Sequence, residues 1–594
     1  MSVRPIRASV LLSALAFLVA LLLRLQPSPA SADVHNPICP AEVVHFNPDN
    51  GQDIVVPPGF KVSVFKAGLN GPTGIAFLGD VRRFEVFVLE SGHGLPSRCN
   101  EQDSWPGGTF AKDNPFTPDI LVFDQDGKLL RGPLGKPTQS GGGLQPAGPA
   151  IDIAFENGRN GGRLFATDSN QAIRAVGGQN NSSRIVIVDP NNGKVTPFIT
   201  GLPTGDHPSE QFAFKDGWIY WSQGSTTNSG VVGLDNGNGN NQHDIPCQNI
   251  TLSQNVFLSG DGKSTSGYSP HGVTRPGATV EAFESATGRG ICDGAILRAR
   301  LDASNPKATI EPFSWGYRNP FGIRFAPKKH ALQGNLFVTE NGEDERGARP
   351  TNNAPDRLAL AQQNPDGSPD YHGWPDRFGF LDSTQAVFNP VGGPGDDLCV
   401  AANNPPSNCT PASLNQILTN DVPVKHLLAF PPQPITSPLA LEPADVAVVG
   451  TDFVPKAFAV GVVQPGAALV AREGDFGFSA GNGKPEEGHD VQLVNFSRPG
   501  EPLQLKLSLF AHNSTLEQAF PDGIRGINRP TNLRFGPDGC AYLVDYGAVR
   551  DFGQSDPATK FVVGADGPLV QIPGTGVIWK ICGPVAGVEP EDDD

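Results

Sequence analysis

The sequence predicts an all-β protein, a six-bladed β-propeller with long decorating loops and minor helix, because one short pattern occurs six times along its 594 residues. Each copy has an apolar-x-apolar triplet, a turn rich in Gly, Asp, Asn or Pro, and an apolar run ending in polar residues. Such a copy is typical of a strand, a turn and a second strand. A repeated strand-rich unit cannot bury both faces alone, so six copies predict six blades around an axis. The copies span residues 72–92, 150–170, 209–225, 320–342, 443–477 and 530–547.

Three polar residues stand at nearly equal distances ahead of three of these triplets. His207 and Arg318 each come five positions before the first triplet residue of the third and fourth copies, and Arg529 comes four positions before that of the sixth. Equal offsets in equivalent units predict equivalent places in space. We therefore expect these side chains to converge on one mouth of the central channel, where propellers usually keep their sites.

The first 32 residues are typical of an export signal. Arg4 and Arg7 precede an apolar stretch over residues 8–23, and residues 30–32 form an A-x-A cleavage site. The apolar stretch is short for a membrane span, which needs roughly 20 residues. We therefore expect a periplasmic or secreted protein with no stable membrane insertion after cleavage.

The rest of the chain divides into four parts. Residues 33–60 form an N-terminal extension that we expect outside the array, and residues 61–585 form the propeller. Stretches rich in Gly, Asn, Pro and Ala near 224–292 and 380–440 predict insertions that decorate one face. Residues 586–594 are an acidic tail.

Two smaller features concern how the chain folds locally and closes. The segments 354–363 and 412–420 are short helix candidates. The last predicted strand, GVIWKICGP, is placed to close the ring with N-terminal sequence.

Charge and sulfur content restrict the function. The formal net charge is −17, and loss of three arginines with the signal lowers it to −20, so nucleic acid is not an expected partner. The eight cysteines form an even set, which predicts disulfides in an exported chain. Sequence proximity favours one pairing and the others are guesses: Cys399 with Cys409, then Cys247 with Cys292, Cys540 with Cys582, and Cys39 with Cys99.

Two segments carry candidate chemistry. Asp206 directly precedes His207, and histidine is the side chain best suited to proton transfer near neutral pH. Arg318 and Asn319 precede Pro320, which holds the preceding residue extended, and together they offer several donors to an anionic or quinonoid oxygen. Taken singly, a surface histidine and an arginine that clamps a loop carboxylate are the plainer interpretations.

At these residues the chain resembles the soluble, pyrroloquinoline quinone-dependent glucose and sorbosone dehydrogenases. The resemblance covers most of the mature sequence and is strongest in GDHPSEQ and YRNPFG. It implies a catalytic base at His207, oriented by Asp206. It also implies quinone contacts from Arg318, with a role in stabilising the oxyanion, and from Asn319 and Arg529.

The same resemblance implies further ligands. Gln145 and Arg472 stand near positions where the family carries a Gln and a Lys that contact the cofactor. A calcium ion that activates the quinone would map onto backbone oxygens of Gly342 and Glu343 and onto the carboxylate of Asp356, and flexible acidic loops of this kind suit calcium. The plainer interpretation is an acidic surface loop. The implied cofactors are pyrroloquinoline quinone and Ca²⁺.

The resemblance implies an exported quinoprotein that oxidises a sugar or polyol hydroxyl by hydride transfer to the quinone and passes electrons to a soluble acceptor. Two alternatives stay open. One is a calcium-dependent propeller lactonase, for which Asp152 and Asp445 are the only hints. The other is a non-catalytic propeller that binds carbohydrate or protein. The sequence does not identify the sugar or the oligomeric state.

Overall fold

The computed structural model of the chain describes most of the predicted propeller. The described residues are 32–36, 42–93, 100–170, 182–232, 244–258, 264–268, 275–282, 291–344, Arg349, Thr351, 354–378, 388–390, 421–423, 425–432, 438–474, 487–515, 525–551 and 569–584. The predicted signal and the acidic tail therefore lie outside the described residues, apart from Ala32.

The structure confirms the six-bladed, all-β propeller. Each of the six sequence copies supplies the first two antiparallel strands of one blade, and further strands follow outward. Blade 1 contains Pro72–Asp80, Arg83–Glu90, Asp119–Asp124 and Leu129–Leu134. Blade 2 contains Ile153–Phe155, Leu164–Asp168, Ser183–Val188 and Val195–Leu202. Blade 3 contains Ser209–Lys215, Trp218–Gln223, Ala295–Arg300, Glu311–Trp315 and Asp370–Tyr371. Blade 4 contains Asn319–Phe325, Leu336–Asn341, Arg357–Ala361 and Ala440–Leu441. Blade 5 contains Val448–Phe453, Ala468–Arg472, Asp490–Phe496, Leu505–Asn513 and Ile54–Val55. Blade 6 contains Pro530–Phe535, Ala541–Asp545, Gly576–Cys582 and Lys61–Leu69.

The two ends of the propeller sequence close the ring within blade 6. The C-terminal strand Gly576–Cys582 pairs antiparallel with the N-terminal strand Lys61–Leu69 along its whole length. A disulfide between Cys540 and Cys582 lies in the same blade. Closure leaves each blade with a neighbour on both faces, as the repeat requires.

One aromatic contact is repeated at every boundary between blades. The third triplet residue of five copies, and Phe453 at the equivalent end of the inner strand in the fifth copy, is a phenylalanine. Its ring meets an aromatic ring of the preceding blade, in the tilted or edge-on arrangements that aromatic pairs prefer. The contacts, with their centroid separations, are Phe77 with Tyr542 (4.9 Å), Phe155 with Phe87 (5.2 Å), Phe214 with Phe165 (5.5 Å), Phe325 with Tyr220 (5.0 Å), Phe453 with Phe337 (5.9 Å) and Phe535 with Phe458 (4.9 Å). The sixfold sequence pattern is therefore a pattern of inter-blade packing.

Blade 5 makes this contact by a different route. In the other five blades the aromatic partner lies on the second strand, opposite the middle residue of the triplet, as Phe87 lies opposite Ala76. In blade 5 that position is Leu469, opposite Asp452. The ring comes instead from Phe458, in the long turn between the first two strands. The fifth copy is longer than the others because the turn that carries Phe458 spans residues 454–467.

Short elements decorate the blades. Ile54–Val55, from the N-terminal extension, adds a fifth strand to the outer edge of blade 5. Five small antiparallel ladders complete the described strands: Ala32–Asn36 with Glu42–Phe46, Ile250–Thr251 with Thr279–Val280, Phe257–Leu258 with Ser264–Thr265, Phe388–Pro390 with Asp421–Pro423, and Val549–Asp551 with Leu569–Gln571. The helices of the described residues are short 3₁₀ turns at Asp49–Gly51, Gly158–Asn160 and Pro306–Thr309.

One helix prediction is wrong. Residues 354–363 do not form a helix, because Arg357–Ala361 is the third strand of blade 4, hydrogen-bonded to Leu336–Asn341. A short run of buried Leu and Ala has no periodicity that separates a helix from a buried strand. The second candidate, 412–420, lies outside the described residues. No helix among the described residues is long and apolar enough to span a membrane.

Two of the guessed disulfides are confirmed, namely Cys247–Cys292 and Cys540–Cys582. The other two pairings, Cys39 with Cys99 and Cys399 with Cys409, lie outside the described residues.

We predict that the inter-blade rings carry much of the stability. Phe155 is 3% exposed, whereas Phe430 is 83% exposed. Phe155→Ala should reduce the free energy of unfolding by about 3 to 5 kcal/mol, because it deletes a buried ring and leaves a cavity. Phe430→Ala should change it by less than about 0.5 kcal/mol. Urea unfolding followed by tryptophan fluorescence measures both, and equal effects of the two substitutions would contradict the packing described here.

Candidate active site

The three equally spaced residues lie at one end of the inner strands, as the sequence predicts. His207, Arg318 and Arg529 directly precede the inner strands of blades 3, 4 and 6, which begin at Ser209, Asn319 and Pro530. The short segments before the strands therefore set the positions of these side chains around the channel mouth.

Asp206 links the two predicted catalytic groups. Its Oδ2 lies 3.3 Å from Nδ1 of His207 and accepts a hydrogen bond of 3.2 Å from Nη2 of Arg318. The same Nη2 donates to Oδ2 of Asp344 at 2.6 Å. Asp206 and Arg318 are almost fully buried, whereas the His207 side chain keeps 18% of its surface exposed. The imidazole is thus the accessible end of a buried charge chain.

Backbone hydrogen bonds fix this arrangement. The loop after the second strand of blade 3 binds all three site residues: Asp206 N donates to Thr226 O, His207 N to Ser225 O, and Ser225 N to Arg318 O. The loop approaches so closely that a Cβ on Gly224 would lie 2.2 Å from Cβ of His207. This position therefore requires glycine.

Asn319 and Glu210 form a second polar pair at the mouth. One terminal atom of the Asn319 amide lies 2.9 Å from Oε1 of Glu210, and the other lies 2.9 Å from Oδ1 of Asn341. Burial raises the pKa of Glu210 well above its ordinary value, and repulsion from Glu473 and Asp206 adds to the effect while Arg318 opposes it. Burial therefore favours the protonated form of the Glu210 carboxyl group.

Glu473 connects this pair to Arg529. Burial raises the pKa of Glu473 to about 7, against the attraction of Arg529. The guanidinium of Arg529 is 2% exposed and donates from Nη1 to Gly474 O at 3.0 Å. Electrostatic interactions thus link Glu210, Glu473 and Arg529 across the mouth.

Sequence reasoning missed Glu210, Glu473 and Asp344. Glu210 and Glu473 stand at strand ends in the third and fifth copies, so the polar residues that bound each apolar run carried the signal. Asp344 stands in the acidic segment that was interpreted as a calcium loop, and the structure directs it to Arg318 instead.

Arg472 has a structural role that replaces the predicted cofactor contact. Its Nε and Nη2 donate to the two carboxylate oxygens of Asp490 at 2.7 and 2.6 Å, and Nη1 donates to Glu442 at 3.2 Å. Arg472 and Asp490 stand opposite each other where the second strand of blade 5 ends and the third begins. The same register positions hold ion pairs in two other blades, Asp168 with Arg184 and Glu340 with Arg357. Arg472 therefore belongs to this series of strand-end pairs.

Gln145 also takes a structural place. Its backbone N–H donates to Oδ1 of Asp168 at 2.9 Å, and its Nε2 donates to Ser182 O at 2.8 Å. Both contacts lie in blade 2, around the Asp168–Arg184 pair. The predicted quinone contact of Gln145 is therefore replaced by support of this pair.

The middle of the channel is filled by polar side chains. Asp152 is fully buried and accepts hydrogen bonds from Phe212 N at 3.2 Å and from Nδ2 of Asn532 at 3.1 Å. Below it, Nη2 of Arg534 donates to Oε1 of Gln211 at 2.9 Å. Asp152 thus ties three blades together, and this plug separates the two mouths of the channel.

The predicted calcium ligands do not fit a calcium site. Oδ1 of Asp356 accepts the N–H of Gly342 at 2.7 Å, and Oδ2 accepts the N–H of Val448 at 3.2 Å, so the carboxylate faces protein donors. Burial raises the pKa of Asp356 to about 7 and that of Glu343 to about 8. Within the described part of the chain, no group of three His, Cys, Asp or Glu side chains could hold a metal. We therefore derive no step through calcium.

The mouth does fit one part of the quinone prediction. Nε of Arg318 is buried and has no hydrogen-bond partner among the described residues. A buried guanidinium N–H without an acceptor is costly, and an oxygen of a bound molecule would satisfy it. Arg318, Asn319 and Arg529 remain as candidate cofactor contacts, whereas Arg472 and Gln145 do not.

Comparison with known proteins assigns no activity to the chain. No model of a protein family and no curated protein matches the chain. Three solved structures that it resembles are the holo PQQ domain of pyranose dehydrogenase from Coprinopsis cinerea (16% identity, TM-score 0.46, 89% of this chain and 97% of that one), the calcium structure of the Trichoderma reesei carbohydrate-active enzyme of family AA12 (14%, 0.46, 89% and 97%), and a gluconolactonase from Xanthomonas campestris (10%, 0.31, 94% and 98%). At such low identities and TM-scores, these similarities do not assign an activity to this chain.

We predict that the charge state of Glu473 changes stability with pH. Its pKa rises from 4.5 to about 7 on folding, so the folded state holds the proton more tightly than the unfolded state. The free energy of unfolding therefore falls as pH rises from 4.5 to 7 and changes no further above that range. Glu473→Gln carries no charge at any pH. Its free energy of unfolding should therefore exceed that of the wild type by about 1 to 3 kcal/mol at pH 8 and equal it at pH 4.

Thermal unfolding across pH 4 to 8 measures this difference. Glu501→Gln, which alters an exposed carboxylate, serves as the control and should follow the wild type at every pH. A difference between Glu473→Gln and the wild type that does not depend on pH would contradict the assigned burial.

Proposed function

We propose that this protein is an exported propeller enzyme that oxidises a hydroxyl group of a sugar or polyol with pyrroloquinoline quinone. The observation that supports this most is the contact chain at the channel mouth, in which Asp206 lies 3.3 Å from Nδ1 of His207 and 3.2 Å from Nη2 of Arg318. A histidine oriented by a buried carboxylate is the usual arrangement of a general base.

His207 takes the hydroxyl proton of the substrate. Its Nδ1 faces Asp206, so Nε2 is the nitrogen that receives the proton. The negative charge of Asp206 stabilises the imidazolium that forms, while Arg318 and the loop backbone hold Asp206 in place. Removal of the hydroxyl proton assists departure of the hydride from the carbon that bears this hydroxyl group.

Arg318, Asn319 and Arg529 would hold the cofactor. The Nε–H of Arg318 has no acceptor among the described residues and is available to an oxygen that gains charge during the reaction. Burial favours the uncharged form of Glu210, which lowers its repulsion of an anionic ligand beside Asn319. The bound quinone supplies an acceptor for the hydride, which this chain's own side chains lack.

Export is part of the proposal. Two disulfides among the described residues suit an oxidising compartment, and the N-terminal sequence predicts cleavage by an export machinery. A soluble electron acceptor in that compartment would then reoxidise the cofactor.

The proposal predicts a specific loss of activity in His207→Gln. Purified protein loaded with pyrroloquinoline quinone should reduce a dye in the presence of an aldose or polyol, and His207→Gln should lower kcat by about 10² to 10⁴ because the base is absent. His426→Gln, which changes a half-exposed histidine elsewhere, should keep the wild-type rate.

The binding of quinone provides the second readout. Quinone should bind wild type and His207→Gln with similar affinity in a fluorescence titration, because His207 acts on the substrate. Dye reduction that persists in His207→Gln would contradict the assignment of the base. Hydrolysis of a lactone without quinone would favour the lactonase alternative, and neither activity would favour a binding protein.

A further inference from the structure

A large cavity lies at the end of the channel opposite the proposed active site. Its volume is about 800 Å³, and it is lined by the last residues of all six inner strands and by the turns that follow them in blades 2, 5 and 6. An inner strand of six residues is roughly 20 Å long, so the cavity and His207 are at opposite ends. The polar plug around Asp152 lies between them.

Three arginines line this cavity. Arg159, Arg324 and Arg534 line it, against two carboxylates, Glu156 and Asp452. Oε2 of Glu156 is neutralised by Arg163, which lies 2.7 Å away and is not a lining residue. Arg324 and Arg534 lie 3.6 Å from carboxylate oxygens of Asp452 and Asp152, so ion pairs hold these two guanidinium groups at the cavity wall.

Arg324 is the arginine best placed for a ligand. Its Nη1 donates to Phe212 O at 3.0 Å, and its Nε lies 3.6 Å from Oδ1 of Asp452. Among the described residues its contacts use these two nitrogens, so Nη2 remains for a bound acceptor. Its side chain is 19% exposed. Arg534 lies beside it with a fixed guanidinium, since Nη1 donates to Thr451 O at 2.9 Å.

Asn157 and Asn160 add polar groups to the wall, and much of the remaining lining is apolar. The ring of triplet phenylalanines reaches the cavity, and Phe214, Phe325 and Phe535 keep part of their surfaces exposed. Pro455 and Pro537 complete the apolar lining. A bare ion would leave these walls in contact with water, whereas a ligand with an apolar body would cover them.

We propose that this cavity is a second binding site, which takes a small carboxylic acid with an apolar body. The carboxylate would accept hydrogen bonds from Arg324, and the body would pack against the exposed phenylalanine surfaces. Guanidinium groups match carboxylate geometry, which explains the need for arginine here. This site is independent of quinone and of the proposed oxidation.

Calorimetric titration of the full chain with benzoate tests the proposal. Benzoate should bind at least about tenfold more tightly than benzyl alcohol or inorganic phosphate, since the alcohol lacks the charge and phosphate lacks the apolar body. Arg324→Gln should weaken benzoate binding by about tenfold or more. Arg298→Gln is the matched control, because its ion pair with Glu311 lies on an outer strand of blade 3, and it should bind benzoate like the wild type.

Two further variants keep the test decisive if Arg324→Gln unfolds. Ala154→Phe fills space in the cavity without removing a charge and should also abolish benzoate binding. His207→Gln alters only the opposite mouth and should bind benzoate normally. Equal binding of benzoate and benzyl alcohol, unchanged binding in Ala154→Phe, or loss of binding in His207→Gln would each overturn the proposal.

Discussion

The aromatic contact between each blade and the one before it is the constraint on which the rest of the molecule depends. Each triplet phenylalanine packs on its neighbour at a centroid separation between 4.9 and 5.9 Å, and the Phe77–Tyr542 contact joins the first blade to the last. Because the ring is closed, the start of every inner strand has a fixed height and angle around the axis. His207, Arg318 and Arg529 meet at one mouth for this reason, although long stretches of sequence separate them.

Charges are placed around this apolar ring in two distinct ways. Pairs such as Asp168 with Arg184 and Arg472 with Asp490 join adjacent strands of one blade and are fully matched. At the mouth, by contrast, burial raises the pKa of Glu210 well above its ordinary value and that of Glu473 to about 7, against the attraction of Arg318 and Arg529. Matched pairs hold the blades together, whereas the two acids and the Nε–H of Arg318, which has no acceptor in the described part of the chain, are suited to a ligand.

Sequence alone predicted the fold and the channel mouth at which His207 and Arg318 lie, because both predictions depend on the repeated pattern. The offsets of His207 and Arg318 were sufficient to bring them together. It did not predict Asp344 as the partner of Arg318, since a contact between a loop and a neighbouring segment leaves no periodic signal. Arg472 was misassigned for a related reason: a strand-end arginine looks the same in sequence whether it faces a cofactor or the carboxylate of the next strand.

The central claim is that the mouth bounded by His207 and Arg318 is where the chemistry takes place. A crystal structure of the protein grown with pyrroloquinoline quinone tests it most directly. The account predicts the quinone at this mouth, with an oxygen within hydrogen-bond distance of Nε of Arg318 and with its ring facing His207. Quinone bound in the opposite cavity, or bound out of reach of both side chains, would contradict it.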